Sequence, residues 1–174
     1  MVSDPSNELR PGTQKLSRDH DLARFDCGKT ALNDWLVRYA WQNQQADAAK
    51  TYVACRRGNR VVGYYSLVAS SVRRSDAPER IAKGLANHPI GVILLARLAL
   101  DHAEKGQGLG KALLKDALVR TAQAAEIVGV RALLVDAIDE EARKFYLHFN
   151  FEPSLVDPIH LMLLIKDLRA MLTR

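Results

Sequence analysis

A short glycine-rich segment in the middle of the chain separates an apolar run from an amphipathic one, and it constrains the fold more than any other feature. Residues 90–100 are almost wholly apolar and branched, which predicts a strand buried on both faces. Gly106, Gly108 and Gly110 follow, and apolar residues then recur at helical spacing over 113–122. A strand, a glycine loop and a helix in this order leave unpaired backbone N–H groups at the helix start. Such groups bind anions, most naturally phosphates.

Two common phosphate-binding loops do not fit this segment. A P-loop would require glycine at 105 and Ser or Thr at 112, where this chain has Lys105 and Ala112. The dinucleotide-binding pattern requires G-x-G-x-x-G after a first strand, whereas the glycines here are spaced G-x-G-x-G and follow residue 100. The segment therefore predicts an anion site of another kind, with a simple turn as the alternative.

The order of strand and helix patterns along the chain predicts the fold class. Apolar residues at three- and four-residue steps predict a helix over 26–48. Val- and Tyr-rich segments at 51–55 and 60–70 flank Gly58-Asn59, which predicts a β-hairpin. The further predicted elements are a short helix at 78–85, strands at 131–138 and 160–165, a helix at 140–149 capped by Asp139, and a final helix at 167–172. This order predicts a single α/β (α+β) domain with a mixed sheet over 15–174, after a flexible N-terminal tail at 1–14.

Composition limits the classes of protein to which the chain can belong. Its 174 residues, 48% hydrophobic and 26% charged, are ordinary for a globular domain with a real core. The apolar runs are much shorter than a bilayer span and no leader pattern is visible, which argues against a membrane protein and a secreted one. Cys27 and Cys55 are too few for a disulfide framework, so we expect a reduced, cytoplasmic setting.

The formal net charge of the whole chain is +5, and its basic residues are concentrated in the first half. Over 50–83 eight basic side chains stand against only Asp76 and Glu79. The eight are Lys50, Arg56, Arg57, Arg60, Arg73, Arg74, Arg80 and Lys83. Such a stretch attracts polyanions, including nucleic acids, and a solvated face is the alternative interpretation.

The glycine loop and the strand before it resemble the acetyl-CoA motif of GNAT-type N-acetyltransferases. That family's loop reads Gln/Arg-x-x-Gly-x-Gly/Ala, and here 105–110 reads Lys-Gly-Gln-Gly-Leu-Gly, with Lys105 departing from the first position. The resemblance implies a GNAT fold with helices on both faces of the sheet, in which acetyl-CoA lies between two splayed parallel strands, the second at 133–137. No metal is implied. The cofactor-binding residues it implies are Leu98, Ala99, Leu100, Lys105, Gly106, Gln107, Gly108, Gly110, Lys111 and Phe145.

Further segments narrow the resemblance to TacT-type toxins of bacterial toxin–antitoxin modules, over roughly residues 15–170. They are Phe25–Gly28, Leu32–Leu36, Ala40, Gln42-Asn43, Lys50–Val53 and Phe145-Tyr146 with Phe149. The resemblance implies acetyl transfer from acetyl-CoA to the α-amine of aminoacyl-tRNA, which blocks translation. It also implies a ribbon-helix-helix antitoxin as partner and a homodimer. The alternatives are a GNAT enzyme acting on a small-molecule amine or a protein lysine, and a binding module without turnover.

Tyr146 takes the place of the general acid under this resemblance. A phenol of pKa about 10 can protonate, or donate a hydrogen bond to, a leaving thiolate whose conjugate acid has a pKa near 8.5. An α-amine, with a pKa of about 7.7–8.0 against about 10.4 for lysine, is partly neutral at pH 7 and needs no strong base. Asp101, His102 and His20 are the available bases, and none is preferred. A core-packing role for Tyr146 is the alternative.

Arg97 interrupts an otherwise apolar strand, so it requires either a partner or a cleft that it faces. A structural salt bridge and a substrate contact both remain open for it. The five histidines and two cysteines show no metal-ligand spacing. The residues predicted to contact tRNA are Arg38, Arg73, Arg74, Arg80, Lys83 and Arg97.

Overall fold

The computed structural model describes residues 7–174 and contains seven paired strands in the described range. The strands are β1 (Gln14–Lys15), β2 (Lys50–Arg56), β3 (Arg60–Val72), β4 (Ile90–Leu100), β5 (Ala132–Asp136), β6 (Glu152–Pro153) and β7 (His160–Leu164). Their order in the sheet is β1-β2-β3-β4-β5-β7-β6. The β4/β5 pair is parallel, and the β1/β2, β2/β3, β5/β7 and β6/β7 pairs are antiparallel. The predicted mixed sheet is therefore confirmed.

Five of the helices lie between strands and the sixth follows β7, close to the regions where the sequence predicts helices. They are α1 (Thr30–Asp34), α2 (Ala40–Gln45), α3 (Glu79–Ala82), α4 (Leu109–Ala125), α5 (Glu140–His148) and α6 (Ile165–Leu172). No helix of the described chain is long and apolar enough to cross a membrane. The chain folds as two compact units. The boundaries between them fall within β3, β4 and α4, so that each of these elements contributes some of its residues to each unit. Unit 1 comprises the described residues up to Val68 with Arg97–Ala117, and unit 2 comprises Ala69–Ala96 with Leu118–Arg174.

The hairpin in unit 1 forms where the sequence predicts it. Gly58 and Asn59 both have positive φ, 79° and 61°, a backbone conformation that glycine and asparagine adopt most readily. The register runs from Lys50↔Leu67 to Arg56↔Arg60. One irregularity between Ala54 and Cys55 shifts the pairing. The local turn residues were therefore sufficient to fix this element.

The helix predicted at 26–48 is shorter and less regular than expected. It begins only at Thr30, because Gly28 takes φ 82° and the Asp26 carboxylate accepts hydrogen bonds from Gly28 N (2.8 Å) and Asn33 Nδ2 (2.9 Å). These hydrogen bonds lower the pKa of Asp26. Between α1 and α2 the chain forms a π-helical segment, Trp35–Tyr39, which the sequence did not predict.

The segment before β1, within the tail predicted at 1–14, makes backbone contacts with β2. Residues 1–6 of that tail lie outside the described residues. In the remainder, Leu9 forms a β-bridge with Arg56, and Arg10 N donates to Cys55 O at 2.9 Å. Strand β2 would otherwise leave these backbone groups unpaired, and such groups are stabilised by any extended segment that reaches them.

Unit 2 is built around the parallel pair of β4 and β5. The pairing runs from Val92↔Ala132 to Leu95↔Val135, and β7 adds to the other edge of β5. A buried cluster that includes Ile81, Ile90 and Met162 fills the core of this unit. The Asp139 side chain accepts a hydrogen bond from Ala142 N at 2.8 Å, which confirms the predicted cap of α5.

Candidate active site

The glycine loop presents backbone to open space. Gly106 and Gly108 both have φ 80°, and nothing lies within 4 Å of the position that a Cβ would occupy on either. Helix α4 begins immediately afterwards at Leu109, whose side chain is buried, whereas residues 105–108 are exposed. The first N–H groups of a helix have no partner within the helix, and the helix dipole is positive there. The loop is therefore built to receive an anion.

A buried ion pair anchors the chain just before this loop. Glu104 is 5% exposed as a residue, and its carboxylate accepts from Arg56 Nε at 2.9 Å and Nη2 at 2.7 Å. The geometry is bidentate, the strongest arrangement for an arginine and a carboxylate. Arg56 lies on β2, so the pair connects the start of the loop to the hairpin. Sequence reasoning missed it, because the two residues are 48 positions apart.

Asp101, one of the three candidate bases, has a structural role in the same turn. It is 3% exposed, and its two carboxylate oxygens accept from Ala103 N (2.9 Å) and Asp26 N (3.2 Å). His102 Nδ1 lies 2.7 Å from Asp26 O, and His20 Nε2 lies 3.0 Å from Gln14 Oε1. Burial lowers the pKa of His20. Each candidate base therefore has a local hydrogen-bond partner, and the structure favours none of them as a catalyst.

The end of β4 extends past its pairing with β5. The parallel register ends at Leu95↔Val135, whereas β4 continues to Leu100. The residues predicted to pair with the pantetheine arm, Leu98–Leu100, lie in this extension. Leu100 faces the start of α4, since its Cδ2 lies 3.4 Å from the Cβ position of Gly110. The strand end and the glycine loop are therefore in direct contact within unit 1.

Tyr146 lies in unit 2 on α5 and is 5% exposed. Phe145 and Phe151 contact its ring edge to face, with centroids 5.2 and 5.3 Å away. Burial raises the pKa of the phenol above the ordinary value for tyrosine. Within residues 7–174 no group hydrogen-bonds its hydroxyl. The ring is thus fixed by aromatic packing, and the hydroxyl remains free to donate a proton or a hydrogen bond.

Several of the basic side chains at 50–83 are paired with acids, most of which are distant in sequence. Arg80 donates to Glu152 and, at 2.8 Å, to Asp167. These contacts give Arg80 a structural role that the tRNA-contact prediction did not anticipate. The other ion pairs join Lys50 to Asp47, Arg56 to Glu104 and Arg57 to Glu8.

Three other predicted tRNA contacts are differently placed. Arg73 and Lys83 are exposed, and neither forms an ion pair with any described residue. Arg74 is half-buried and donates from Nε to Leu85 O at 3.0 Å. Arg38 is exposed in unit 1, with its Nε 4.0 Å from Asp34. The charge available to a polyanion is therefore smaller than the sequence indicates.

Arg97 has an aromatic partner rather than an acidic one. Its guanidinium carbon lies 4.0 Å from the centroid of the Trp35 ring. Burial lowers the pKa of Arg97, and none of residues 7–174 forms an ion pair with it. The structure thus contains no salt bridge to this residue among the described groups, and the substrate contact stays a prediction.

Sequence reasoning also missed a cluster of a histidine and two aspartates at the end of β5. His160 Nδ1 bonds the Asp136 carboxylate, and its Nε2 lies 3.4 Å from Asp157 Oδ2. This cluster fastens the segment between β6 and β7 to β5. Across the described range, no group of three or more His, Cys, Asp or Glu side chains is placed to hold a metal ion.

Comparison with known proteins identifies a family and relatives of this chain. Residues 47–153 match the acetyltransferase (GNAT) domain. The chain is 46% identical to a tRNA-acetylating toxin of Mycobacterium tuberculosis (strain ATCC 25618 / H37Rv) over 159 residues, which cover 91% of this chain and 95% of the relative.

Two solved structures of the toxin AtaT resemble this fold over nearly their whole length. AtaT complexed with acetyl-methionyl-tRNAfMet superposes with a TM-score of 0.87 at 30% identity, covering 95% of this chain and 99% of AtaT. A tyrosine-to-phenylalanine mutant of AtaT, bound to the C-terminus of the antitoxin AtaR and acetyl-CoA, has a TM-score of 0.81 at 29% identity. It covers 96% of this chain and 99% of that one.

Proposed function

The chain belongs to the acetyltransferase (GNAT) family, and on that premise we propose that it is a toxin that acetylates the α-amine of aminoacyl-tRNA with acetyl-CoA and so blocks translation. The observation that carries this proposal is the 46% identity to a tRNA-acetylating toxin over 91% of the chain. The structural match to AtaT with an acetylated tRNA supports the same substrate class. Two features, each within its own unit, support it further: the exposed backbone at Gly106–Gly108 in unit 1 and the unpartnered hydroxyl of Tyr146 in unit 2.

The proposed reaction begins with attack of the neutral α-amine on the thioester carbonyl carbon. A C–N bond forms, the tetrahedral intermediate collapses, and the C–S bond breaks. Tyr146 donates its proton to the departing thiolate, the attacking nitrogen loses one proton to water, and the Tyr146 phenolate regains a proton from water. Because roughly a tenth of an α-amine is neutral at pH 7, no strong protein base is required.

The acceptor class is tested by direct competition. Purified protein is incubated with labelled acetyl-CoA and either total aminoacyl-tRNA, a polyamine or a lysine-containing peptide. We expect label on the aminoacyl group of tRNA and at most trace label elsewhere. Label on the polyamine or peptide with none on tRNA would overturn the proposal in favour of an ordinary GNAT enzyme, and no transfer to any acceptor would favour a binding module.

We propose that the diphosphate of acetyl-CoA binds to the backbone amides of the glycine loop. Gly108→Ala is expected to raise the Kd for acetyl-CoA by about 10- to 100-fold. A side chain at φ 80° is strained by about 1–2 kcal/mol, and its methyl group would enter the open space that the diphosphate needs. Isothermal titration with acetyl-CoA measures the change.

Gly12→Ala is the matched control for that strain. Gly12 has φ 73° and, like Gly108, nothing within 4 Å of its Cβ position. Gly12 lies outside the glycine loop. Gly12→Ala should therefore introduce the same backbone strain without changing the Kd for acetyl-CoA. Equal Kd values for the two variants would show that the diphosphate does not bind at Gly108.

Arg73 and Lys83 are the proposed tRNA contacts of unit 2 that remain exposed and unpaired among the described residues. Arg73→Gln/Lys83→Gln is expected to weaken tRNA binding and to reduce the slope of log K against log salt by about 2, since each phosphate contact contributes about 1. These two exposed side chains form no ion pair with any other residue described. Binding titrations over a range of salt concentrations measure the slope.

A double variant of equal charge serves as the control for that effect. Lys115→Gln/Lys166→Gln removes two exposed positive charges from α4 and α6. Its salt slope should remain close to that of the wild type. If the slope of log K against log salt falls equally in both double variants, tRNA binding depends on net charge alone, and Arg73 and Lys83 are not specific tRNA contacts.

The partners and the organisation of the chain follow from the same proposal. We propose an antitoxin as partner, which is supported by the structure of AtaT bound to the C-terminus of the antitoxin AtaR. We propose in addition that this antitoxin is of the ribbon-helix-helix type. We also propose a homodimer and action in the cytoplasm, where charged tRNA is found. A single domain over 15–174 remains our proposal, supported by a family match that spans residues of both units.

A further inference from the structure

Arg97 is an unusual charged residue, because it is half-buried and uses none of its N–H donors within the described chain. Its guanidinium stacks on Trp35, with the guanidinium carbon 4.0 Å from the ring centroid. An unpaired charge that loses contact with water is costly. Stacking on an aromatic face offsets part of that cost and leaves the N–H groups at the edge of the guanidinium plane without a partner among the described residues.

The ring beneath Arg97 belongs to a rigid stack. Trp35 lies nearly parallel to Tyr64, with 12° between the planes and 6.1 Å between the centroids. Tyr64 is fully buried, and its hydroxyl donates to Leu32 O at 2.7 Å. Phe25 contacts the Tyr64 ring edge to face at 5.6 Å. The orientation of the Arg97 guanidinium is therefore fixed before any ligand arrives.

The backbone around Trp35 is irregular, which points independently to a functional role for this residue. Trp35 begins the π-helical segment Trp35–Tyr39 that interrupts the helix between α1 and α2. Such segments are rare and are found frequently at functional sites. Here the segment carries the ring that orients Arg97.

An oriented guanidinium with free donors matches a phosphate or a carboxylate. Its planar fork binds either anion in bidentate fashion, which a lysine cannot do. In an aminoacyl-tRNA, the anions nearest to the reacting amine are the phosphodiesters of the last nucleotides. The amino acid itself, held as an ester, has no free carboxylate at that point, so a phosphodiester is the fitting ligand.

Strand β4 presents its two faces to different elements of unit 1. Arg97 and Ala99 share one face by strand alternation, and Ala99 packs in the cluster that contains Leu36 and Tyr64. Leu100 is on the other face and contacts the start of α4 at Gly110. The glycine loop, proposed for the acetyl carrier, is therefore on the side of β4 opposite to Arg97.

The geometry points to Trp35 and Arg97 as a built site for a phosphodiester at the 3′ end of the acceptor, on the face of β4 opposite to the glycine loop. This inference rests on the proposed function and adds to it the group that recognises the acceptor. The strand end thereby serves both substrates: its backbone lies beside the carrier, and the side chain of Arg97 holds the acceptor.

The test compares two acceptors that carry the same amino acid. One is the aminoacyl ester of the trinucleotide CpCpA, which has two phosphodiesters, and the other is the aminoacyl ester of adenosine, which has none. We expect the wild type to favour the trinucleotide in kcat/KM by about 10- to 100-fold, the range for a charge-assisted hydrogen-bonded pair. Arg97→Gln should remove most of that preference, and Arg97→Lys, which keeps the charge without the fork, should remove part of it.

Arg24→Gln is the matched control, since Arg24 is an exposed arginine of the same unit. It should keep the wild-type preference, and circular dichroism with thermal unfolding shows whether each variant is folded. The inference is overturned, while the proposed function stands, if the wild type acetylates both acceptors without a preference. It is also overturned if Arg97→Gln and Arg97→Lys both keep the wild-type preference for the trinucleotide ester. If the wild type acetylates neither ester nor intact aminoacyl-tRNA, the proposed function fails and this inference fails with it.

Discussion

Tyr146→Phe is expected to lower kcat for acetyl transfer to aminoacyl-tRNA by about 10²- to 10⁴-fold, the usual contribution of a general acid. The loss should appear in kcat rather than in KM, because the proton is transferred only as the C–S bond breaks. Translation inhibition by the protein should fall by a corresponding factor. Rapid quench with labelled acetyl-CoA measures the chemical step directly.

The environment of Tyr146 is the reason for expecting so large an effect. Burial raises the pKa of the phenol, so the acid form is present throughout the neutral and mildly alkaline range. Phenylalanine preserves the ring contacts with Phe145 and Phe151, at 5.2 and 5.3 Å, and removes only the hydroxyl. Since no described group bonds that hydroxyl, its removal leaves no buried partner unsatisfied.

Tyr39→Phe is the control, because Tyr39 is 51% exposed on the π-helical segment. Both variants lose one hydroxyl, but only Tyr146→Phe should lose kcat. A Tyr146→Phe variant with at least a third of the wild-type kcat would show that proton donation comes from elsewhere, for example from water. The core-packing role of Tyr146 would then be its only role.

The features that the sequence predicted well depend on residues close together in the chain. Strand β4 occupies the predicted range, 90–100, because a branched apolar run of that length can be satisfied only by burial on both faces. Gly58-Asn59 forms the hairpin turn and Asp139 caps α5, since each needs only its own neighbours. Local chemistry was sufficient for these elements.

The features that were missed depend on partners that are distant in sequence. The short strands Gln14–Lys15 and Glu152–Pro153 exist only because an adjacent strand pairs with them. Arg80 looked like a free cation, but two acids, 72 and 87 positions away, take up its donors. No pattern in a single sequence marks such pairs.

The candidate site shows the same division. The glycine loop was predicted from its residues, and Tyr146 from a family resemblance that the comparisons confirm. The stacking of Arg97 on Trp35 required the structure, because the two residues lie on different elements, β4 and the π-helical segment. The roles assigned to these residues remain predictions that the experiments above test.

Glu104→Ala is expected to lower the free energy of unfolding by about 3–5 kcal/mol, because it leaves the Arg56 guanidinium buried without its partner. The side chains of Arg56 and Glu104 are only 15% and 7% exposed, and both contacts between the guanidinium and the Glu104 carboxylate are at most 2.9 Å. The same variant should also weaken acetyl-CoA binding, since Glu104 fixes the turn from which residues 105–110 extend. Chemical denaturation and acetyl-CoA titration measure the two effects.

Glu8→Ala is the control for an exposed pair of the same type. Glu8 and Arg57 approach to 2.7 Å, but their side chains are 65% and 56% exposed, so the expected loss is about 0–1 kcal/mol.

Arg56→Met/Glu104→Leu should recover much of the stability lost in Glu104→Ala, because it removes both buried charges together. If Glu104→Ala and Glu8→Ala cost the same, water reaches the Arg56–Glu104 pair and the pair does not anchor the loop. If the double variant regains stability but still binds acetyl-CoA weakly, the ion pair is retained for the position of the glycine loop rather than for the stability of the fold.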